Sequence, residues 1–264
     1  MFPTREHSLT EGIRMNSTQK VITILKELGK EPYEFSLTEL ANNIKCGKSG
    51  TYKILTYLRH NGMVCQNINK KYCLGSAISY LGRKYDENIM PWKACIPHME
   101  SLREKTGETV TLGIKENGKA TVVYRVVSKH YIKIDGEIGI KLPYYVTSIG
   151  KLLAAYDDFE IIKKRIEEEP MVKKTPYTVT EIGALKREYE KIRKNGYSIS
   201  IEESNIGVIS VAAPLIDSEG KVWGCICIGS PKIRTNEKIL EYHKELVMFT
   251  AKEISSKIFY YNVI

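Results

Sequence analysis

Through the first quarter of the chain, apolar residues recur at helical spacing and then switch to alternation. Val21, Ile24, Leu25 and Leu28 share one helical face behind Asn16 or Ser17, either of which can cap it, and Gly29 ends it. Leu37, Leu40, Ala41 and Ile44 repeat the pattern. Ser36 and Glu39 form a capping box ahead of them, and Phe35 is placed to staple onto Leu40. Gly47 supplies a turn, Ser49 caps the next helix, and Thr51, Leu55 and Leu58 line its inner face. Asn61-Gly62 closes that helix. Met63-Val64-Cys65 and Lys71-Tyr72-Cys73-Leu74 then read as two short strands around Asn67-Ile68-Asn69-Lys70. Two helices, a tight turn and a small basic hairpin predict a winged helix-turn-helix over residues 16–75, behind a loose leader at 1–15.

The pattern changes twice more. Ile78, Leu81 and Tyr85 predict a connecting helix over 76–90, whose apolar side suits pairing with a second copy. Pro91 and Pro97 break the pattern, and a further helix runs through Met99 and Leu102 to Thr106-Gly107. From Glu108 the period becomes two. Thr109–Lys115 and Ala120–Val127 alternate around Asn117-Gly118, a hairpin signal, followed by short strands at Tyr131–Ile134 and Glu137–Leu142. Helices follow from Ser148 through Ala155 and from Asp157/Asp158 to Glu168. Thr178 and Glu181 read as a capping box for a helix with Ile182, Leu185, Tyr189 and Ile192 inward, ended by Asn195-Gly196. Tyr197–Ile201, Gly207–Ile216 and Lys221–Gly229 alternate as strands. A closing helix from Asn236 to Tyr260 turns Ile239, Leu246, Phe249, Ile254 and Ile258 inward. Residues 91–264 therefore predict an antiparallel sheet flanked by helices, and the chain as a whole is of the α+β class.

Charge sharpens the first part of this picture. Residues 1–75 carry eleven Lys/Arg against six Asp/Glu, within a chain of net charge +9. The excess is denser on the helix-turn-helix, as an electrostatic DNA footprint requires. The outer face of the second helix of the motif, Gly50, Lys53, Tyr57 and His60, is polar, basic and aromatic. The competing reading of that face is the solvated side of an ordinary helical hairpin; the basic wing favours DNA. Lys48, Ser49, Gly50, Thr51, Lys53 and Tyr57 are the candidate major-groove and phosphate contacts, with Asn67, Asn69, Lys70 and Lys71 as the wing contacts.

Other chemistries find little support. The six cysteines form no CxxC pair, the five histidines are scattered, and no P-loop or GxGxxG occurs, so neither a metal nor a cofactor is expected. The cysteines read as small buried hydrophobes in a reducing compartment, or as a redox sensor. No apolar run approaches the roughly 18 residues of a membrane span. Residues 1–14 lack a signal peptide's apolar core, so the expected location is the cytoplasm, with no membrane partner.

Taken in order, a series of short segments resembles the IclR family of bacterial transcriptional regulators. At the DNA-binding end they are Lys48-Ser49, Tyr52-Lys53-Ile54-Leu55, Leu58, Gly62 and Tyr72-Cys73-Leu74-Gly75. In the middle, the run from Leu102 to Leu112 matches. Beyond it come Thr147 to Ala154, Thr175-Pro176-Tyr177-Thr178, Asn195-Gly196-Tyr197, Glu202-Glu203, Gly207, Val211 to Pro214 and Gly220. The resemblance implies a winged helix-turn-helix, a linker helix and a GAF-like effector domain. It implies a homodimer, or a dimer of dimers, on palindromic double-stranded DNA, regulated by a small-molecule effector such as an organic or aromatic acid, and no enzymatic activity. It also implies a pocket walled by Ser148, Ile149, Gly150, Ser200, Ser210, Cys227 and Gly229. The helix start at Ser148-Ile149-Gly150 suits a carboxylate on its own account, because its first N–H groups lack helical partners. Members of the family usually carry an acid where Ser200 or Ile201 stands, serines where Cys227 and Gly229 stand and a cysteine where Ser210 stands. The pocket is therefore expected to offer fewer polar partners and to take a less polar or larger ligand. The rival is a GAF-like redox enzyme or thiol sensor using Cys225 or Cys227, for which the run Trp223–Ile228 supplies neither base nor cation.

Overall fold

A computed structural model describes residues 15–88 and 91–257. The leader before Met15, and Ile258, lie outside the described residues. The chain divides into two compact units, Met1–Met90 and Pro91–Ile264.

In the first unit, local capping sets three helices. Asn16, rather than Ser17, caps α1 (Ser17–Leu28) through a reciprocal box with Gln19. Ser36 and Glu39 close the expected box on α2 (Leu37–Asn43). The turn into α3 (Lys48–His60) differs from the expectation. The left-handed residue is Lys45, at φ 48°, while Gly47 has an ordinary φ of −62° and is the N-cap. Ser49 is already inside the first turn and caps nothing. The chain reverses directly after Ile44, the last residue of the α2 stripe, so the turn falls two residues before the glycine. The wing is β1 (Val64–Gln66) against β2 (Tyr72–Leu74). Phe35 exchanges both backbone bonds with Tyr72 (2.9 and 2.7 Å), which ties the wing to the start of α2. Ile24, Leu28, Leu40, Ile44, Leu55, Leu58, Val64 and Tyr72 form one core, with Phe35 packed on it. Burying a side chain of the Leu/Ile class contributes roughly 1.5–3 kcal/mol. α4 (Ser76–Asn88) follows, with Tyr80 and Leu81 about half exposed.

The second unit begins with a 3-10 turn, Pro91–Cys95, that leads into α5 (Ile96–Thr106). Pro97 stands in its first turn, where no N–H is needed, so it opens the helix instead of breaking it. Gly107, at φ 72°, ends it. The strands are β3 (Thr109–Glu116), β4 (Lys119–Val126), β5 (Lys141–Leu142), β6 (Ser198–Ile201), β7 (Val208–Ile216) and β8 (Val222–Pro231). They form one antiparallel sheet in the order β5-β4-β3-β8-β7-β6. The helices are α6 (Ser148–Ala155), α7 (Phe159–Glu168), α8 (Ile182–Asn195) and α9 (Glu237–Lys257). Register sorts the sheet into two unlike faces. Val110, Leu112, Ile226, Ile228, Ile209 and Val211 make an aliphatic face. Thr109, Thr111, Cys227, Gly229, Ser210, Ala212, Ser198 and Ser200 make the other, and α6 and α8 pack on that side.

Four expectations are corrected here. The two short strands after β4 reduce to β5, preceded by single bonds from Gly139 N to Val122 O and from Val122 N to Ile140 O. Tyr131, Ile132 and Ile138 project into solvent, so their alternation has no second strand to serve. Glu181, not Thr178, caps α8, accepting from the Gly183 and Ala184 N–H groups. Ile182, at the start of that helix, is exposed. On α9 the buried face is His243, Val247, Thr250, Ala251 and Ile254, while Phe249 is 56% exposed. Two polar residues inside the stripe rotate the true inner face away from the one that hydrophobicity marks.

The deepest charge in this unit is Lys151 on α6, whose side chain has no exposed surface. Its Nζ lies 2.7 and 2.8 Å from the Glu203 carboxylate and 2.5 Å from Glu188 on α8. Burial pushes the Glu203 carboxyl up, and the Lys151 ammonium opposes that. Removing one member of such a buried group leaves the others uncompensated. Lys151→Met is expected to lower the unfolding free energy by about 3–5 kcal/mol, read from urea titrations of both proteins. An unchanged midpoint would show that the ion pair does not hold α6 in place.

Candidate functional site

In the first unit, α3 packs Thr51, Leu55 and Leu58 inward and turns its other side to solvent. Lys48, Ser49 and Lys53 are exposed, and Tyr57 is 72% exposed. Two of the expected contacts face elsewhere. Thr51 is fully buried and its hydroxyl donates to Gly47 O at 3.1 Å, which closes the first turn of α3. A Cβ on Gly50 would lie 3.0 Å from Cys46 Sγ, so that position faces the turn and not the outer surface. α3 also exposes Tyr52 and Thr56, four residues apart, which the sequence reading did not single out as contacts. The helical period that marked Lys53 and Tyr57 would have found them.

The wing is braced from behind. Asn67 Oδ1 accepts from the N–H groups of Asn69 and Lys71, and its Nδ2 donates to Glu34. Lys71 Nζ lies 3.0 Å from the same carboxylate, which holds that amine above its ordinary pKa. Asn67 and Lys71 therefore shape the wing, while Asn69 and Lys70 are exposed at its tip. Between them Ile68 is 98% exposed. An apolar side chain there adds nothing to the core and is suited to wedging into a minor groove. Cys65 and Cys73 face each other across the wing with their sulfurs 2.8 Å apart, so these two are not buried hydrophobes.

In the second unit, three of the seven expected pocket residues meet directly. Ser148 Oγ donates to Ser210 Oγ at 2.8 Å and lies 3.2 Å from Cys227 Sγ. Gly229 pairs with Ser210 in the sheet, and the Ile134 side chain lies over it. Ser200 pairs with Ser210 on the far side and donates its hydroxyl to Val146 O at 2.7 Å. Ile149 and Gly150 are packing residues. Ile149 fills the space above Gly113, and a Cβ on Gly150 would fall 2.0 Å from Pro143 O. Gly150 also borders a separate cavity of about 210 Å³ lined by Lys115, Lys119, Tyr144, Asp157, Arg165 and Glu169, among others. Five of the charges there pair with one another. Asp157 takes Lys115 and Arg165, and Glu169 takes Lys119.

Neither Cys225 nor Cys227 is poised as a nucleophile. Burial raises both thiols, Cys227 to about 11, so neither holds a thiolate near neutrality. Sequence reasoning missed a second full charge on this face, besides Lys115, which Asp157 pairs. Arg125 of β4 lies opposite Thr111, which lies opposite Cys227, so it ends the same row.

Residues 88–256 match the family described as "Bacterial transcriptional regulator IclR C-terminal". The chain belongs to the IclR family. The HTH-type transcriptional regulator KdgR of Escherichia coli K12 is 28% identical over 249 residues, covering 94% of this chain and 94% of its own length. The solved IclR of Thermotoga maritima is 28% identical with a TM-score of 0.77, covering 93% of this chain and 99% of that one. An IclR homologue from Microbacterium hydrocarbonoxydans, complexed with 4-hydroxybenzoate, shares the fold at a TM-score of 0.80 and 19% identity, covering 90% of this chain and 97% of its own. The relatives are named as transcriptional regulators and not as enzymes. Among the described residues, no helix is long and apolar enough to cross a membrane.

Several of the family-like segments have structural work here. Lys151 and Glu203 are the buried ion pair. Thr175 and Thr178 donate their hydroxyls to the carbonyls of Glu202 and Glu203, which fixes the Glu203 backbone beneath Lys151. Gly150 lets α6 start against Pro143. Gly150→Ala is expected to cost about 1–3 kcal/mol, because backbone and not a flexible side chain must move. Matched urea midpoints for the two proteins would contradict that contact.

Proposed function

We propose that this chain binds a two-fold symmetric DNA operator through α3 and its wing, and that a small organic or aromatic acid held in the second unit alters that binding. The observation that carries the DNA half is α3 itself. Lys48, Ser49, Lys53 and Tyr57 stand exposed on a helix whose inner face is fixed by Thr51, Leu55 and Leu58, beside a wing that presents Asn69 and Lys70. That is the geometry by which a recognition helix enters a major groove. A homodimer supplies the two-fold axis, and the half-exposed Tyr80 and Leu81 of α4 support such pairing. Pairing of dimers on longer sites follows the family habit. The cytoplasm is the compartment this activity requires.

The effector half rests on the meeting of Ser148, Ser210 and Cys227 and on the aromatic acid bound by the Microbacterium homologue. A coupling of about 1–3 kcal/mol between ligand and operator is enough for control.

Selection from random DNA by the full chain tests the first half; it is expected to enrich a palindromic site, and failure to enrich any sequence would refute it. On that site Lys53→Ala is expected to weaken binding by about 1–3 kcal/mol while the circular dichroism melt stays unchanged. If Lys53 grips a phosphate, the slope of log K against log salt also falls by about one. Unchanged affinity would remove α3 from the recognition surface.

A further inference from the structure

The small-residue face of the sheet ends in a cation with no adequate partner. Arg125 has a side chain only 10% exposed. Its Nε donates to Thr111 Oγ1 at 3.2 Å. Its Nη1 is buried and has no hydrogen-bond partner. The nearest carboxylate, Asp135, is mostly exposed and its Oδ1 lies 3.7 Å from Nη1, beyond hydrogen-bond range. Gly136 closes over the guanidinium, since a Cβ there would fall 2.8 Å from Nη1. Burial lowers the basicity of Arg125 and Asp135 opposes that. A guanidinium does not deprotonate in a protein, so the charge persists and calls for an anion.

We propose that Arg125 is the anchor for the carboxylate of the effector, with Asp135 as the internal counter-charge that the effector displaces. This rests on the effector reading above and adds to it which group is read, and by what. The planar fork of an arginine matches a carboxylate with two parallel hydrogen bonds. Arg125 stands three strand spacings and a two-residue offset from Ser210, roughly 16 Å between backbones. The arginine side chain spans part of that distance, and Ser148 and Ser210 offer hydroxyls at the other end. A small acid held in that fork meets those hydroxyls when it bears a hydroxyl or carbonyl opposite its carboxylate. The ligand class is therefore a hydroxy, keto or phenolic monocarboxylate. Its arrival moves Asp135 and the segment between β4 and β5, whose Ile134 covers Gly229.

The test uses the full chain, thermal shift, and anisotropy on the selected operator. The probes are pyruvate, 3-hydroxybutyrate and 4-hydroxybenzoate, each beside its amide. The acids are expected to shift the wild-type chain and the amides are not. Arg125→Gln is expected to lose roughly ten-fold or more in acid affinity while binding the operator normally without ligand. Asp135→Asn is expected to bind the acids several-fold more tightly, an effect that a merely structural ion pair would not produce. A full acid response in Arg125→Gln overturns the anchor and leaves the effector reading standing. Equal response to acids and amides overturns the carboxylate assignment alone. If no compound shifts the wild-type chain, the effector reading fails and the anchor with it. Should Arg125→Gln fold poorly, Asp135→Asn decides, and unchanged acid affinity in that variant overturns the proposal.

Discussion

An ammonium group with no water around it must find carboxylates, and the second unit is arranged so that Lys151 finds two. Glu203 comes from the segment after β6 and Glu188 from α8, so one charge fixes α6 against two elements distant in sequence. The position of α6 then sets what surrounds the site. Ser148 lies one turn before Lys151 and lands between β7 and β8, within reach of Ser210 and Cys227. Gly150 must be small because α6 starts against Pro143 O, and Gly113 must be small because Ile149 rests on β3. Coulombic attraction offsets the cost of desolvating such a group only when the geometry is close, which makes α6 a rigid wall.

That wall faces a sheet whose two sides have different chemistry. The aliphatic side is a packing surface. The side beneath α6 carries hydroxyls, thiols and glycines, so side chains from outside the sheet fill the layer and polar atoms meet one another at Ser148. The first unit divides its labour in the same way. The inner face of α3 is fixed by Thr51, Leu55 and Leu58, which frees the outer face from any part in folding. Glu34 does for the wing what Glu203 does for α6, gathering Asn67 and Lys71 so that the tip residues stand clear.

The parts of this architecture that were legible in the sequence are those written locally. Asn16, Ser36, Gly107, Asn117-Gly118 and Gly196 mark element ends by bonds or dihedrals within a few residues of themselves. What was not legible depends on partners far along the chain. Lys151 reads as a surface lysine until Glu188 and Glu203 are beside it. The polar His243 and Thr250 face inward on α9, so a stripe drawn through Leu246 and Phe249 misses the core side. Tyr131–Ile134 alternates like a strand but meets no partner edge. Arg125 sits in Thr121–Val127 as an isolated polar residue, and only the register that sets it opposite Thr111 and Cys227 reveals where it stands.

The departures from the usual family pattern also look different in three dimensions. A serine at 210 and a cysteine at 227, where the family tends to carry the reverse, occupy adjacent strands and both touch Ser148. The exchange keeps one hydroxyl and one thiol against the same partner, so it costs no polar contact. The expected loss of polarity is confined to Gly229, whose space Ile134 takes, and to the missing acid near Ser200. That missing acid matters most, because a carboxylate on β6 would have drawn the pocket toward neutrality. Lys115 and Lys151 on this face meet carboxylates, whereas Arg125 keeps a buried Nη1 without a hydrogen-bond partner, and a desolvated cation of that kind favours an anion by charge before shape.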